Sequence, residues 1–267
     1  ANKETLVIAG EIIMKLAEEN KARIIPIDSE HSAIAQILIG KNSSEIEKLI
    51  LTASGGSLFE KTKEELKTVT VAEALRHPNW QMGAKITVDS ATLMNKGFEI
   101  MEAAHLFKVP EEKIAVVIHR ESIVHSLVEF VDGSVIAQMA VPDMHLPINF
   151  ALNYPSHKPL VPRLDLTKIG CLTFQPVDEE RFKTIKLARF AFSKGGFYPA
   201  VLNATNEAMV QLFLEGTVTI DRIESEIASA MSDDSLMNSF RNLTFTLENI
   251  MKVDQDVKNK IMQKYKR

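Results

Sequence analysis

Apolar and polar residues alternate with two different periods in the first part of the chain. Apolar side chains at helical spacing over residues 6–20 predict an amphipathic helix, and the short branched run ARIIPI that follows predicts a buried strand. A second helix is predicted from SAIAQILIG to Gly40, a short one at SSEIEKL, and a second strand at LILTA. Because helices and strands alternate, this region is predicted to be α/β, with strand ends that face a common rim.

The middle of the chain is richer in strand patterns. AVVI, from Ala115, predicts one strand, and HSLVEFVDGSVIAQMAV alternates apolar and polar residues on both sides of the turn signal Asp132-Gly133. An antiparallel hairpin is therefore expected to complete a mixed sheet.

The last part of the chain is predicted to be helical. Residues 156–177 include several prolines, show little periodicity and are interpreted as a linker. Later helices carry terminal glycines, a pattern like a capping box at Asp221 and Glu224, and apolar residues four apart at Val257, Ile261 and Tyr265. We therefore expect an α/β (α+β) domain with a mixed sheet over residues 28–155 and an all-α helical bundle over residues 178–267.

Composition and charge exclude several classes of protein. The chain has 267 residues, a formal net charge of −4 and no basic cluster, which argues against nucleic-acid binding. Its apolar runs are shorter than the roughly 18 residues of a membrane span, so a soluble protein without membrane contact is expected. The single cysteine, Cys171, excludes an internal disulfide and fits a reducing compartment. Without a cysteine cluster, a bound metal would have mainly oxygen ligands, which favours magnesium or manganese.

The first polar cluster ends the apolar run in IIPIDSEHSA. Asp28, Ser29, Glu30 and His31 are residues that commonly cap and begin a helix, and locally this interpretation is favoured. The alternative is a metal site, because residues two apart on extended backbone point the same way, so that Asp28 and Glu30 could hold one cation. Both interpretations remain open at this point.

Two further clusters follow predicted elements. TASGGS, with Ser54, is either an ordinary loop or an anion-binding turn in which two glycines let backbone amides converge. RHPNWQMG holds the only tryptophan, Trp80, beside His77 and Met82. This segment is either a packed turn or a loop that covers a ligand and excludes water.

The fourth cluster is TVDSATLMNKGFEIMEAAHLF. Ser90 is predicted to begin a helix, on which Asn95 and Glu99 share one face with Lys96 alongside. A solvated face with a Lys–Glu pair is the ordinary interpretation. The alternative is a phosphate site at the helix start, with Glu99 directed toward a cation. With the other clusters, this alternative indicates a metal-dependent enzyme that acts on a small phosphorylated polyol.

Several of these segments together resemble one enzyme family. PIDSEHSAI, TASGGS, RHPNWQMGAKITVDSATLMNKGFEIMEA, IHRESIVHS, DGSVIAQMAVPDM and PAVLNATNEAMVQLFLEG occur in this order and are similar to 1-deoxy-D-xylulose 5-phosphate reductoisomerases. The resemblance implies a rearrangement of deoxyxylulose phosphate followed by hydride transfer from NADPH, which yields methylerythritol phosphate. It further implies a homodimer in the cytoplasm of a bacterium or in a plastid-type organelle.

The resemblance also implies roles for individual residues. Asp28, Glu30 and Glu99 would ligate Mg2+ or Mn2+, and together with Lys3 and His77 they would form the catalytic set. Substrate contacts are implied for Lys3, Ser29, Glu30, Ser54, His77, Ser90, Asn95, Lys96 and Glu99. A lid loop is implied at 77–85 with Trp80 and Met82, and NADPH contacts at Asn2, Glu4, Gly83 and Met144.

One feature of the family is absent from the sequence. Members carry an N-terminal NADPH-binding domain with a GxTGxxG turn, and this chain, which opens on Ala1 rather than methionine, contains no such motif. We therefore expect residues 1–27 to be the remnant of that domain. The alternative function is a non-catalytic module that binds a metal and a phosphosugar.

Overall fold

The structure is a computed structural model that describes residues 2–265, which form a five-stranded sheet and a layer of helices. Ala1, the first residue of the expected domain remnant, lies outside the described residues. The strands are β1 (Ile46–Ala53), β2 (Ile114–Ile118), β3 (Val124–Phe130), β4 (Val135–Met139) and β5 (Gln175–Pro176). The α-helices are α1 (Lys3–Glu19), α2 (Ser29–Ile37), α3 (Lys63–Leu66), α4 (Val71–Ala74), α5 (Ala84–Ala91), α6 (Met94–Phe107), α7 (His145–Asn153), α8 (Leu166–Ile169), α9 (Thr184–Lys194), α10 (Tyr198–Leu214), α11 (Asp221–Ser232), α12 (Asp234–Phe240) and α13 (Leu247–Tyr265).

The predicted mixed sheet is confirmed. Its strand order is β4-β3-β1-β2-β5, with β1 and β2 parallel and the other pairs antiparallel. Ala53 at the end of β1 pairs with Ile118 at the end of β2. Since the carboxyl ends of parallel strands meet at the same edge, the loop after β1 and the turn after β2 lie side by side.

Helix α6 lies between the sheet and the helical layer. Ile100 and Ala103 pack in the apolar core of the sheet, whereas Phe98 and Met101 pack in the core formed with the C-terminal helices. At Gly97 an added Cβ would lie 2.7 Å from the Cβ of Ala188, so the missing side chain lets α9 approach closely. The polar residues of α6 are therefore held between two cores rather than on a solvated face.

The C-terminal part of the chain is the predicted helical bundle. α10 is its central helix and packs against α9, α11 and α13. Pro199 stands in the first turn of α10, where a missing N–H leaves no hydrogen bond broken. Helix α1 packs against α6, α10 and α13, so the first residues share a core with this bundle.

Four predicted elements are wrong. The short helix at SSEIEKL is a single 3-10 turn (Ser43–Glu45), after which the chain continues as β1 from Ile46. ARIIPI at 22–27 has no regular secondary structure, because Pro26 lacks a backbone donor and both sides of the central strand β1 are already paired. Ser90 does not begin a helix but lies in the last turn of α5, and α6 begins only after Leu93, whose φ is +59°. Asp221 and Glu224 form no capping box, since Glu224 Oε2 accepts instead from Lys183 N at 3.2 Å.

The linker and the hairpin differ in detail from the expectation. The linker contains α8 and the edge strand β5, which pairs with β2. In the hairpin, Val128 and Phe130 are buried, whereas Val135 on the edge strand β4 is half exposed. Among the described residues, none of the helices combines the length and the apolar character that crossing a membrane requires.

Candidate metal and substrate site

Three carboxylates predicted as metal ligands lie together. Asp28 precedes α2 with extended backbone, Glu30 lies in the first turn of α2, and Glu99 lies in the middle of α6. One oxygen from each lies within 4.8 Å of the others. The expectation that Asp28 and Glu30 share one extended segment is wrong, because the helix begins between them. Ser29 does not cap this helix either; its Oγ donates to Glu30 Oε2 at 2.6 Å.

Two lysines face these carboxylates. Lys3 Nζ lies 2.7 Å from Asp28 Oδ2 and 3.5 Å from Glu99 Oε1. Lys96 Nζ lies 2.6 Å from both Glu30 Oε1 and Glu99 Oε2 and donates to the carbonyl of Thr52 at 2.8 Å. Lys96 is 4% exposed and Glu99 0%. The interpretation of this helix face as a solvated Lys–Glu pair is therefore wrong.

The electrostatics of the cluster favour a cation. Burial and the neighbouring carboxylate of Glu30 raise the pKa of Glu99 to about 7, although Lys96 opposes them. Burial would raise the pKa of Asp28, but Lys3 and His31 hold it below its ordinary value. Two lysine ammonium groups and the protonated His31 ring already face these carboxylates, so a divalent ion would bind where positive charge is favoured.

His31, for which the sequence suggested no role, is buried behind Asp28. Its Nε2 lies 2.9 Å from the carbonyl of Glu99, and its Nδ1 lies 3.4 Å from Glu102 and 3.6 Å from Asp28. Burial lowers the pKa of His31, but Glu102 and Asp28 outweigh it and raise the pKa to about 9. The sequence pattern does not single out Glu102, although it lies one helical turn after Glu99.

Asp28, His31 and Glu102 form a second acidic group. Their ligand atoms also lie within 4.8 Å of one another. Glu102 is 1% exposed and His31 0%, so this group lies deeper than the first and shares Asp28 with it. A cation in this second group would require His31 to lose its proton, because only a neutral imidazole can be a ligand.

A second set of polar side chains lies at the carboxyl end of β1. His77 Nε2 lies 3.0 Å from Ser54 Oγ and 3.2 Å from Ser90 Oγ. His77 Nδ1 accepts from the backbone N–H groups of Asn79 and Trp80, so the proton of the neutral ring belongs on Nε2. The single hydrogen on Nε2 is therefore shared between the two serine oxygens, and the serine hydroxyl hydrogens are available to an anion.

The charge state of His77 supports this arrangement. Burial, with the positive charges of Arg120 and Lys96, lowers the pKa of His77 to about 4. The ring is therefore neutral near pH 7. The loop after β1, which carries Ser54, is tightly packed against the end of α5. An added Cβ at Gly56, whose φ is +67°, would lie 2.5 Å from the carbonyl oxygen of Ser90.

Members of both sets line one cavity of about 160 Å³, although Glu99 and Lys3 are not among the residues that line it. It is lined by Asp28, Ser29, Glu30, Ser54, His77, Trp80, Met82, Ser90, Asn95, Lys96, His125 and Met144, among others. Trp80 is only partly buried, with its ring 6.2 Å from that of His125, so it is not a core tryptophan. Asn95 contacts the metal cluster: its Nδ2 donates to Glu99 and its Oδ1 accepts from Lys3, both at 2.5 Å.

Of the four residues implied as cofactor contacts, one lies at the cavity and three lie elsewhere. Met144 lines the cavity. Asn2 accepts from Thr5 N at the start of α1, Glu4 pairs with Lys85 at 2.9 Å, and Gly83 precedes α5. These three do not line the cavity.

Comparison with known proteins identifies the family. Residues 24–107 match a family model described as the 1-deoxy-D-xylulose 5-phosphate reductoisomerase C-terminal domain, and residues 139–260 match a second one, the DXP reductoisomerase C-terminal domain. The 1-deoxy-D-xylulose 5-phosphate reductoisomerase of Geobacillus sp. (strain WCH70) is 52% identical over 260 residues, which cover 97% of this chain and 67% of that protein. That of Caldanaerobacter subterraneus subsp. tengcongensis is 52% identical over 269 residues, which cover 100% of this chain and 69% of that protein.

Solved structures agree with this result. A DOX-P reductoisomerase in complex with NADPH, fosmidomycin and magnesium is 42% identical, with a TM-score of 0.92, and the match covers 100% of this chain and 69% of that one. The Zymomonas mobilis enzyme in complex with NADPH is 35% identical, with a TM-score of 0.89 and coverage of 100% and 68%. The chain belongs to the 1-deoxy-D-xylulose 5-phosphate reductoisomerase family, and it spans about two thirds of the length of these relatives.

Proposed function

We propose that this chain carries the metal and substrate site of an enzyme that rearranges 1-deoxy-D-xylulose 5-phosphate and reduces it with NADPH to 2-C-methyl-D-erythritol 4-phosphate. The observation that carries the proposal is one cavity that Asp28 and Glu30 line together with the hydroxyl groups of Ser54 and Ser90, with Glu99 close enough to those two carboxylates for all three to hold one cation. A phosphorylated polyol requires both a cation that binds its carbonyl and hydroxyl oxygens and hydrogen-bond donors that bind its phosphate. NADPH and magnesium occur in the relatives' structures, which supports the same requirement here.

The residues present fit a divalent cation. Asp28 Oδ2 and Glu99 Oε2 are buried and face lysine ammonium groups, yet they accept no aligned hydrogen bond from the described part of the chain. Asp28, Glu30 and Glu99 would hold Mg2+ or Mn2+, which would polarise the carbonyl and hydroxyl oxygens of the substrate. Lys3, between Asp28 and Glu99, would contact the same oxygens.

The other end of the cavity would hold the phosphate. Ser54 and Ser90 would donate their hydroxyl hydrogens to phosphate oxygens, because the neutral His77 already supplies the hydrogen that their oxygens accept. Lys96 and Asn95 also line the cavity, and Lys96, which donates to Glu30, adds positive charge to the site. Because the phosphate is not a reacting group, its binding energy would orient the substrate.

The covering loop would exclude water. Trp80 and Met82 line the cavity, and the N–H of Trp80 donates to His77, so the loop is connected to the phosphate end. Met144 is the proposed nicotinamide contact at the cavity. Asn2, Glu4 and Gly83 are proposed to contact NADPH outside the cavity.

The experiment joins this chain to the N-terminal third of the Geobacillus relative and measures NADPH absorbance with deoxyxylulose phosphate and Mn2+. We expect NADPH consumption and methylerythritol phosphate by mass spectrometry, both abolished by Glu99→Gln. Binding of both ligands without product would instead support the non-catalytic binding module. Light scattering of the same protein tests the proposed homodimer, against which a monomer would count.

A further inference from the structure

Arg120 holds the loop that presents Ser54. It follows β2 by two residues, and its Nη1 donates to the carbonyl of Ser54 at 2.6 Å and to that of Gly56 at 3.1 Å. One nitrogen therefore holds the carbonyls on both sides of Gly55, whose φ is +82°. The guanidinium also lies 5.1 Å from the centre of the Phe59 ring. The conformation of this loop, which we call the serine loop (residues 54–56), depends on a side chain from the neighbouring strand end.

The same residue also contacts the covering loop. Asn79 Nδ2 donates to the backbone carbonyl of Arg120 at 2.6 Å and to Ser122 Oγ at 2.8 Å. Asn79 is two residues from His77, which contacts Ser54 Oγ. The backbone and side chain of Arg120 thus connect the covering loop with the serine loop.

The guanidinium of Arg120 is not part of the cavity wall. The residues that line the cavity include its neighbours His119 and Ser122 but not Arg120. Its hydrogen bonds go to backbone carbonyls, so a direct contact with the substrate is not its role. Loss of the guanidinium would leave two carbonyls without their donor and the glycine-containing turn free to change conformation.

Arg181 provides a matched comparison within the chain. It also lies against the Phe59 ring, with its guanidinium 5.4 Å from the ring centre. Its donors go to the carbonyls of Phe59 and Lys61, beyond the serine loop. Arg181 therefore has similar chemistry and a similar aromatic neighbour but no contact with Ser54 or Gly56.

We propose that Arg120 is a positioning residue for phosphate recognition, which holds the serine loop so that Ser54 Oγ faces the cavity and connects that loop to the covering loop. The identity of the ligand rests on the proposed function. The metal cluster lies on other elements, so loss of Arg120 should weaken the phosphosugar contact and leave the metal contact intact.

The test compares Arg120→Met, Arg120→Lys and Arg181→Met by calorimetry on the full chain. For Arg120→Met we expect about tenfold weaker binding of deoxyxylulose phosphate in the presence of Mn2+, with unchanged affinity for Mn2+ itself. Arg120→Lys should recover most of the loss, because an ammonium can donate to both carbonyls. Arg181→Met should bind the sugar phosphate like the wild type. Equal losses in the two Met variants, or no loss in Arg120→Met, would overturn the proposal.

A second measurement does not need the ligand. Amide hydrogen exchange of the metal-free chain should accelerate in Arg120→Met at residues 54–57 and 77–80, with the strands and α10 unchanged. Uniform acceleration throughout the chain, or none in these segments, would contradict the positioning role. If the wild-type chain bound Mn2+ but no sugar phosphate, the proposed function would fail, and the exchange pattern would still decide the role of Arg120.

Discussion

Substitution of Glu99 by Gln separates the electrostatic role of this residue from its role in the fold. Glu99 is completely buried, beside Glu30 and between two lysines. Its pKa is raised from an ordinary 4.5 to about 7. A raised carboxyl pKa contributes stability that is present in full below pH 4.5 and is lost as the pH rises through 7. Gln does not titrate, so the variant lacks this loss.

The size of the effect follows from the two pKa values. Between pH 5 and pH 8, ionisation of Glu99 should lower the free energy of unfolding of the metal-free wild type by roughly 2–3 kcal/mol relative to Glu99→Gln. For a chain of this size that difference corresponds to roughly 5–10 °C in Tm. Only the change in the free energy of unfolding with pH is compared between the two proteins. Any pH-independent effect of the amide group on stability therefore cancels.

The assay is urea or thermal unfolding of both proteins at pH 5, 6.5 and 8, first with a chelator and then with excess Mn2+. Saturation at a hundred times the Kd should stabilise the wild type by about 2.7 kcal/mol and leave Glu99→Gln nearly unchanged. Glu18→Gln, on the exposed end of α1, is the control for loss of a carboxylate. Parallel pH curves for wild type and Glu99→Gln would show that Glu99 does not titrate with a raised pKa, and equal stabilisation by Mn2+ would show that it does not ligate the ion.

Three other substitutions test neighbouring parts of the account. Lys96→Met removes the ammonium that neutralises Glu30, so the metal-free protein should lose about 3–5 kcal/mol in urea unfolding, partly restored by Mn2+; unchanged stability would contradict the cluster. Gly97→Ala places a Cβ against Ala188 and should cost about 1–3 kcal/mol from overpacking, and Ala188→Gly in the same chain should relieve it. A double-mutant cycle that shows no coupling would contradict the close approach of α6 and α9. Ser90→Ala should weaken deoxyxylulose phosphate binding about tenfold by calorimetry, with Mn2+ affinity unchanged; a loss confined to Mn2+ would reverse the assignment of the two ends.

The elements that the sequence predicted well are those with a clear period and a recognisable end. The hairpin around Asp132-Gly133 and the helix that ends at Gly195 lie where the pattern placed them. The break between α5 and α6 was not predicted, because it occurs at Leu93, a buried residue with positive φ in a run without glycine or proline. Such a conformation depends on the surrounding tertiary structure, and the local sequence does not show it.

Part of the site could be predicted from the sequence, because some of its residues interrupt a clear pattern and others do not. Asp28, Glu30 and Glu99 stand out because carboxylates follow or interrupt apolar runs. Glu102 was missed because α6 is buried on both faces, so its sequence gives no sign of which polar residue faces which neighbour. The contacts of Arg120 join loops far apart along the chain, and no spacing rule reveals them.

The central claim is that Asp28, Glu30 and Glu99 hold the divalent cation. Crystals of the chain grown with Mn2+, measured at the manganese absorption edge, test it directly. We expect one anomalous peak about 2 Å from an oxygen of each of these three carboxylates. A peak among Asp28, His31 and Glu102 instead, or no peak at either group, would contradict it.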